Sequence, residues 1–316
     1  MSAKGLCLII SGGEYSPIFD ISDIDYIIAC DRGYEYAQKM GLKPDLIIGD
    51  FDSAPVPVTD IEVLQFPAHK DDTDTMLAVK YALDKGYDNI VICCAFGERF
   101  DHAFANIQTG AYIAGRGALV RLTGAGTEAV IFKNSMHSVA RKIGWSLSVF
   151  ALSDKCEGVS IDGTEYTCSN ISLSNTFPLG VSNAWNSESA QIEVKNGIVM
   201  VVQSKMPVST WMPLYAVTDR TWLGSRTLAA DVEAALKGGA TCIQLREKEL
   251  SDDEFLREAL VIKNLCHRYN TPFIINDNVD VAIKSDADGI HIGQHDAEAA
   301  QVRKLIGKDK LLENFE

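Results

Sequence analysis

The sequence lacks the long apolar runs and cysteine pairs that mark membrane, secreted and zinc-binding proteins. No apolar run approaches the roughly 20 residues of a membrane-spanning helix, and the run Leu6–Ile10 is too short for the core of a signal peptide. None of the eight cysteines belongs to a C-x-x-C pair or stands at zinc-ligand spacing from a histidine. We therefore expect a cytoplasmic protein with no membrane partner, whose cysteines are small buried apolar residues.

The chain also lacks an excess of positive charge. Its net charge is −14, and no stripe of Lys and Arg is visible. Because nucleic-acid binding draws on clustered basic side chains, no nucleic-acid partner is expected. A hydrophobic content of 47% with 23% charged residues is typical of a folded protein, and 316 residues are enough for two or three domains.

Three successive patterns divide the chain. Residues 1–125 alternate nearly continuous apolar runs with helical patterns, which predicts an α/β domain around a parallel sheet. Residues 126–205 hold short β runs separated by turn residues, which predicts an antiparallel β-sandwich, and Asn196-Gly197 between two of these runs predicts a hairpin. Residues 212–316 return to strand–helix alternation and predict an incomplete (β/α)8 barrel, with residues 313–316 outside any strand.

Carboxylates follow the predicted strands of the first domain. Asp31, Asp50 and Asp52 come just after two of these strands, and Asp74 opens a helix. Ligands of open α/β sheets bind beyond the carboxyl ends of the strands, and Mg²⁺ is often held by one or two carboxylates together with substrate phosphates. The pattern predicts a metal–nucleotide site; the alternative is that the aspartates are solvated and that Thr73 and Asp74 cap a helix.

A second polar cluster is Arg99-Phe100-Asp101-His102. Arg99 offers a planar fork of donors for phosphate oxygens, and Asp101 offers a carboxylate for a substrate amine or a metal. The alternative is a helix start with Asp101 as its cap and His102 on the surface. The sequence has no Gly-x-x-x-x-Gly-Lys-Ser/Thr loop, so Ser11-Gly12-Gly13 is the candidate for a backbone approach to a phosphate.

Four motifs occur in a fixed order within residues 5–203. They are Pro44-Asp45-Leu46-Ile47-Ile48-Gly49-Asp50-Phe51-Asp52-Ser53, Lys70-Asp71-Asp72-Thr73-Asp74, Arg99-Phe100-Asp101-His102 with Asn106-Ile107, and Gly180-Val181-Ser182-Asn183. With them the sequence resembles the thiamine pyrophosphokinase family. The resemblance implies transfer of pyrophosphate from ATP to thiamine, Mg²⁺ as cofactor, and a homodimer with active sites at the interface.

The resemblance also implies roles for single residues. The residues that resemble the family's Mg²⁺ ligands and catalytic contacts are Asp50, Asp52, Asp74, Arg99 and Asp101, with Asp31 close by. Residues implied to contact the nucleotide or thiamine are Lys70, Thr73, His102, Ser182 and Asn183. The sequence departs from the family at Asp31-Arg32-Gly33-Tyr34, where Asp-Gly-Gly-Ala is usual, so that Arg32 adds bulk and charge beside the nucleotide.

Residues 213–312 carry a second set of motifs. They are Leu214-Tyr215-Ala216-Val217-Thr218-Asp219-Arg220, Gln244-Leu245-Arg246-Glu247-Lys248, Ile275-Asn276-Asp277 and His291-Ile292-Gly293-Gln294-His295-Asp296. This region resembles the front half of thiamine phosphate synthase. The resemblance implies that Arg246 and Lys248 face a pyrophosphate, that Asp277 and Asp296 hold Mg²⁺, and that Asn276 touches the substrate.

The later strands of that family, which supply its second set of phosphate-binding loops, are absent from these residues. We therefore expect no synthase activity from this chain alone. Two alternatives stay open at this point: a bifunctional thiamine-biosynthesis enzyme whose barrel is completed by another chain, and a non-catalytic sensor of thiamine or nucleotide. The metal-binding carboxylates that a sensor could lose are all present.

Overall fold

The structure is a computed structural model in which part of the chain is described. The described residues are 5–18, 23–51, 59–67, 71–97, 99–207, 210, 212–293, 299–307 and 310–314. They divide into two compact units, one of residues 1–141 and 145–205 and the other of residues 142–144 and 206–316.

The first unit contains a large mixed sheet and a smaller antiparallel sheet. Its strands are β1 Leu6–Ile10, β2 Ile24–Cys30, β3 Leu46–Gly49, β4 Glu62–Gln65, β5 Asn89–Cys93, β6 Leu119–Gly124, β7 Thr127–Lys133, β8 Met136–Ala140, β9 Trp145–Ala151, β10 Lys155–Asp162, β11 Cys168–Ser174, β12 Gly180–Asn183, β13 Ser189–Glu193 and β14 Ile198–Lys205. Its helices are α1 Gly33–Lys39, α2 Asp74–Asp84 and α3 Phe100–Gly115.

Among the described residues the large sheet has ten strands, in the order β12-β9-β14-β7-β6-β5-β1-β2-β3-β4. Strands β1 to β6 are parallel to their neighbours, and the sheet becomes antiparallel where β6 meets β7. The central strands are buried almost completely, as their apolar runs predict for strands covered on both faces. The α/β prediction for this part of the chain is confirmed.

The smaller sheet has the order β11-β10-β13-β8 and shares a core with β7, β9 and β14. The predicted antiparallel sandwich is thereby confirmed. The predicted Asn196-Gly197 hairpin is wrong, because β13 pairs within the small sheet whereas β14 pairs within the large one. Gly197, with a φ of +121°, instead donates its N–H to Oδ1 of Asn134 at 2.8 Å, so this pair carries the chain from one sheet to the other.

The second unit repeats the strand–helix pattern. Its elements are β15 Tyr215–Val217, α4 Leu228–Lys237, β16 Cys242–Leu245, α5 Asp252–Arg268, β17 Phe273–Asn276, α6 Val279–Lys284, β18 Gly289–Ile292, α7 Ala299–Ile306 and β19 Leu311–Asn314, with a 3-10 turn at Arg220–Trp222. The strands form one parallel sheet in chain order, as in the first half of a (β/α)8 barrel. The expectation that residues 313–316 lie outside any strand is wrong for Glu313 and Asn314, which pair with β18.

The predicted boundary at residue 125 falls inside a continuous sheet. Residues 125 and 126 form the turn between β6 and β7, which are hydrogen-bonded neighbours. The division into 1–125, 126–205 and 212–316 stays a prediction about domains, while the compact units join the first two ranges. No helix in the described parts of the chain is long and apolar enough to cross a membrane.

Candidate active site

The carboxyl ends of β1, β2, β3 and β5 meet at one edge of the large sheet, because these strands are parallel neighbours. The strand order runs in one direction from β1 through β2 to β4 and in the other from β1 to β5. The switch point of this open sheet, where ligands of such folds bind, therefore lies between β1 and β5.

A glycine turn crosses this switch point. The N–H of Gly13 donates to the carbonyl of Cys94 at 2.9 Å. A Cβ added to Gly13 would lie 2.3 Å from that same carbonyl oxygen, so only glycine allows the approach. The hydroxyl of Tyr36 donates to the Gly13 carbonyl at 3.0 Å. The turn after β1 is thus fixed against the segment after β5.

Asp31 and Asp50 lie side by side at this edge. The N–H of Asp31 donates to the carbonyl of Ile48 at 2.8 Å, which ties the end of β2 to the end of β3. A Cβ added to Gly49 would lie 3.4 Å from the Asp31 Cα, so the two backbones are nearly in contact. Both aspartates are half-buried. Asp31 has a φ of +44°, a conformation that aspartate tolerates better than most residues.

The N-terminal end of α2 brings Asp74 to the same place. Thr73 caps the helix by accepting the N–H of Met76 at 3.1 Å, and the thiol of Cys30 at the end of β2 lies 3.7 Å from the Asp74 carbonyl. A buried hydroxyl pair, Ser11 Oγ and Thr75 Oγ1 at 2.9 Å, joins the glycine turn to the first turn of the helix. The predicted helix cap at Thr73 is confirmed, and it coexists with the site.

Three of the predicted acidic residues thus lie around the end of β2, while Asp52 and Lys70 fall outside the described residues. Within the residues that the structure describes, no group of three or more His, Cys, Asp or Glu is arranged to hold a metal ion. The metal assignment of Asp50, Asp52 and Asp74 stays a prediction. Oxygen donors from one or two carboxylates are nonetheless the usual protein share of a Mg²⁺ site completed by phosphates.

The second predicted cluster lies at the start of α3. Arg99 precedes the helix and forms an ion pair with Asp101 at 2.7 Å, with both side chains about two-thirds exposed. The hydrogen bond from Arg99 lowers the pKa of Asp101, which makes this carboxylate a weaker proton acceptor. His102 is exposed. The buried Asn106 donates to the carbonyl of Ala95 at 2.7 Å and fixes the helix to the end of β5.

Ser182 and Asn183 lie on β12, in the β-sandwich part of the unit. The amide of Asn183 accepts the N–H of Tyr166 at 3.0 Å and donates to the Tyr166 carbonyl and the Thr164 hydroxyl. This amide therefore holds a neighbouring turn. Ser182 is exposed and has a φ of +57°. Its N–H donates to the hydroxyl oxygen of Ser148 at 3.0 Å.

The strand order separates β12 from the carboxylates. Five strands lie between β12 and β1, and seven lie between β12 and β3. With neighbouring strands about 4.8 Å apart, the separation is roughly 30 Å to β1 and nearly 40 Å to β3. One copy of the chain therefore does not bring Ser182 and Asn183 together with Asp31, Asp50 and Asp74.

In the second unit, the predicted residues follow the carboxyl ends of β16 and β17. Arg246 is half-buried, and Lys248 and Asp277 are exposed. The buried Asn276 donates to Asp277 and accepts from Gln244. Asp296 falls outside the described residues. The structure thus places the described members of this set at one edge of the five-stranded sheet.

Sequence reasoning missed an ion-pair network next to these residues. Both carboxylate oxygens of Glu247 accept from Nε of Arg220 at 2.8 Å, and Nη2 of the same guanidinium contacts Glu258. The Glu247 side chain is only 2% exposed, and burial raises the pKa of Glu258 against the opposing effect of Arg220. The sequence offered no local signal for this pair, because 27 residues separate its members and residues 246–248 lie beyond the end of β16.

Replacing Arg220 by alanine should destabilise the second unit markedly. Removal of one partner of a buried ion pair costs about 3–5 kcal/mol; since Arg220 is 39% exposed, we expect about 3 kcal/mol, at the lower end. Urea unfolding, followed by hydrogen exchange of the β16 amides, measures the change. Arg226→Ala is the matched control: its pair with Asp231 is 60% and 34% exposed, and such pairs contribute about 0–1 kcal/mol. Equal effects of the two substitutions would contradict the prediction.

Two parts of the chain match models of known families. Residues 21–118 match the family model described as thiamin pyrophosphokinase, catalytic domain, and residues 214–312 match that of thiamine monophosphate synthase. Both predicted resemblances are confirmed. Residues 21–118 are thus similar to the catalytic domain of thiamin pyrophosphokinases, and residues 214–312 are similar to thiamine monophosphate synthases.

The curated relatives match the second region. The thiamine-phosphate synthase of Clostridium botulinum is 52% identical over 99 residues, which are 31% of this chain and 46% of that protein. The thiamine biosynthetic bifunctional enzyme of Saccharomyces cerevisiae is 50% identical over 100 residues, 31% of this chain and 18% of that protein. The chain thus spans less than half the length of these relatives.

Solved structures of other proteins are similar to 64% of the chain, which is about the length of the first unit. A thiamin pyrophosphokinase family protein from Enterococcus faecalis is 26% identical with a TM-score of 0.55, and the match covers 64% of this chain and 100% of that one. The thiamine pyrophosphokinase of Bacillus subtilis is 24% identical with a TM-score of 0.58 and the same coverage, which shows a shared fold.

Proposed function

We propose that the first unit is a thiamine pyrophosphokinase, which transfers the pyrophosphoryl group of ATP to thiamine and gives thiamine diphosphate and AMP. The observation that carries the proposal is the gathering of Asp31, Asp50 and Asp74 around the end of β2, beside a glycine turn at the switch point of the sheet. The match of residues 21–118 to the catalytic domain of that family supports the same assignment.

In this reaction the thiamine hydroxyl oxygen forms a bond to the β-phosphorus of ATP. The bond from that phosphorus to the oxygen that it shares with the α-phosphate breaks, and AMP leaves with the electron pair. Catalysis of such a transfer is mostly positioning and charge stabilisation. The backbone of Ser11-Gly12-Gly13 is held where it can approach a phosphate, and Arg99 contributes a guanidinium at the start of α3.

Mg²⁺ is the cation that we propose for this site, because carboxylate and phosphate oxygens are the ligands that it prefers. Asp50 and Asp74, with Asp52, would hold it, and when bound it would offset phosphate charge and stabilise the leaving group. For the hydroxyl proton we favour Asp31 as acceptor over Asp101. The ion pair with Arg99 keeps Asp101 charged and weakly basic, whereas Asp31 lies half-buried beside Asp50.

The thiamine-binding residues are proposed to come from a second copy. Ser182 and Asn183 lie too many strands away from the carboxylates of their own chain to share a site with them. A homodimer with two-fold symmetry would bring the two sets of residues together, because β12 of one copy can face the carboxylates of the other copy in both sites. The proposed partners are thus thiamine, ATP and a second copy of the chain.

For the second unit we propose no synthase turnover from residues 214–312 on their own. In barrel enzymes the phosphate site is commonly built by the loops after the last strands, and the region matches 46% of the C. botulinum synthase. The bifunctional enzyme of S. cerevisiae motivates the alternative, that this region contributes to synthase activity once a complementary half is supplied.

An AMP-release assay with ATP, Mg²⁺ and thiamine, and a control without thiamine, tests the proposed function. Thiamine-dependent AMP together with thiamine diphosphate is the expected result. ADP as the nucleotide product would replace the proposal with single-phosphoryl transfer. A folded protein that binds thiamine and forms neither AMP nor ADP would favour a sensor.

A further inference from the structure

Arg32 stands beside the proposed nucleotide site at a position that the backbone fixes closely. It follows Asp31, whose N–H donates a hydrogen bond to the carbonyl of Ile48. It precedes Gly33, at which an added Cβ would lie 2.0 Å from the carbonyl oxygen of Ile10. The carbonyl of Arg32 accepts the N–H of Glu35 at 3.1 Å. The Cα of Arg32 is therefore held against the ends of β1 and β2, whatever its side chain does.

The side chain starts next to the glycine turn. A Cβ added to Gly12 would lie 3.8 Å from the Cβ of Arg32, the nearest heavy atom to that point. The turn itself is fixed to Cys94 by the N–H of Gly13. A phosphate that approaches the backbone of Gly12 therefore comes within reach of the long Arg32 side chain, which is exposed.

Among the described residues, the other cations near this edge have acidic partners and Arg32 does not. Arg99 is paired with Asp101, and Lys80 reaches Asp72 at 2.6 Å. By contrast, the Arg32 side chain makes no hydrogen bond or ion pair with any residue that the structure describes. A polyphosphate that enters beside Asp31, Asp50 and Asp74 meets like charge, so a cation near its path lowers the repulsion.

We propose that Arg32 binds the phosphate chain of the nucleotide, by bridging the glycine turn and the carboxylate edge with its guanidinium. This inference rests on the proposed function, since it names a further contact of the same nucleotide site. Arginine suits the task because its planar fork donates two parallel hydrogen bonds to phosphate oxygens, which lysine cannot do.

The test compares Arg32→Gln and Arg32→Lys with Arg116→Gln in the full chain. Arg116 is an exposed arginine at the far end of α3, where it donates to the hydroxyl of Tyr112, so its loss changes net charge equally without touching this edge. Calorimetry with Mg²⁺ and without thiamine gives the dissociation constants of ATP and of inorganic tripolyphosphate. Steady-state assays give KM for ATP and for thiamine separately.

For Arg32→Gln we expect both dissociation constants to rise about tenfold or more, the effect of one lost charge-assisted hydrogen-bond pair. KM for ATP should rise with them, while KM for thiamine and the melting temperature stay near wild type. The dissociation constants of Arg32→Lys should lie between those of the wild type and those of Arg32→Gln. Those of Arg116→Gln should match the wild type. The dependence of tripolyphosphate binding on salt should also weaken in Arg32→Gln, because one cationic contact is gone.

The outcomes separate this inference from the proposed function. Unchanged binding of ATP and tripolyphosphate in Arg32→Gln overturns the role of Arg32, even if thiamine-dependent AMP is formed normally. An equal loss in Arg116→Gln overturns it too, because a general charge effect would then suffice. If the wild-type protein makes no AMP but Arg32→Gln alone binds ATP and tripolyphosphate more weakly, the phosphate contact is supported and the pyrophosphokinase activity is contradicted. If the wild-type protein binds neither ATP nor tripolyphosphate, both the role of Arg32 and the proposed pyrophosphokinase activity are contradicted.

Discussion

Asp74→Asn should abolish thiamine-dependent AMP release while leaving the fold intact. The substitution keeps the size of the side chain but removes its charge, at the helix end that contacts the end of β2. If Asp74 helps to hold Mg²⁺, loss of that ligand removes several kcal/mol of transition-state stabilisation, which is a decrease in kcat of about 100- to 1,000-fold. The cost in stability should be about 0.3–1 kcal/mol, because a negative charge in the first turn of a helix is lost.

The same helix offers a matched control for this experiment. Asp84 is the last residue of α2 and is exposed, so Asp84→Asn makes the same chemical change at the opposite end of the helix. We expect wild-type kcat for that variant. Both variants are compared at saturating Mg²⁺, with thermal unfolding as the check on folding. A wild-type rate for Asp74→Asn under these conditions would remove Asp74 from the metal site.

The parallel sheet could be predicted from the sequence because its strands are buried on both faces. The sequences of such strands are continuous apolar runs, as in β1 and β5. β4 and β12 carry no such pattern, for the opposite reason. Each is four residues long, lies at an end of the large sheet, and has two exposed and two half-buried residues, so its sequence shows little apolar pattern.

Turn chemistry alone misled the prediction at Asn196-Gly197. The pair favours a two-residue hairpin, but the register of β13 and β14 places them in different sheets. Long-range pairing decided the outcome: the Asn134 side chain accepts the Gly197 N–H from a distant part of the chain. A local motif carries no information about such a partner.

The acidic residues of the site were predictable, and their supports were not. Asp31, Asp50 and Asp74 follow strands or open a helix, which sequence shows directly. The contacts that fix them join residues far apart in the chain, such as Ser11 with Thr75 and Gly13 with Cys94. The Arg220–Glu247 pair of the second unit is of the same kind, since 27 residues separate its members.

Because β12 lies far from the carboxylates of its own chain, we expect that mixing two inactive variants restores activity. Asp74→Asn damages the carboxylate edge and leaves β12 intact. Ser182→Tyr places a bulky group on the exposed strand β12 and leaves the carboxylates intact. In the proposed homodimer each active site takes its carboxylates from one copy and Ser182 from the other, so each variant alone should be nearly inactive.

Co-refolding the two variants in equal amounts should restore about one quarter of the wild-type activity. Random pairing makes half of the dimers mixed, and each mixed dimer of a two-fold assembly has one intact site out of two. The control mixes Asp74→Asn with Asp50→Asn, which both damage the carboxylate edge; no mixed dimer then has an intact site, and no activity should return. If the first mixture also stays inactive while native mass spectrometry shows mixed dimers, Ser182 does not serve the carboxylate site of its partner.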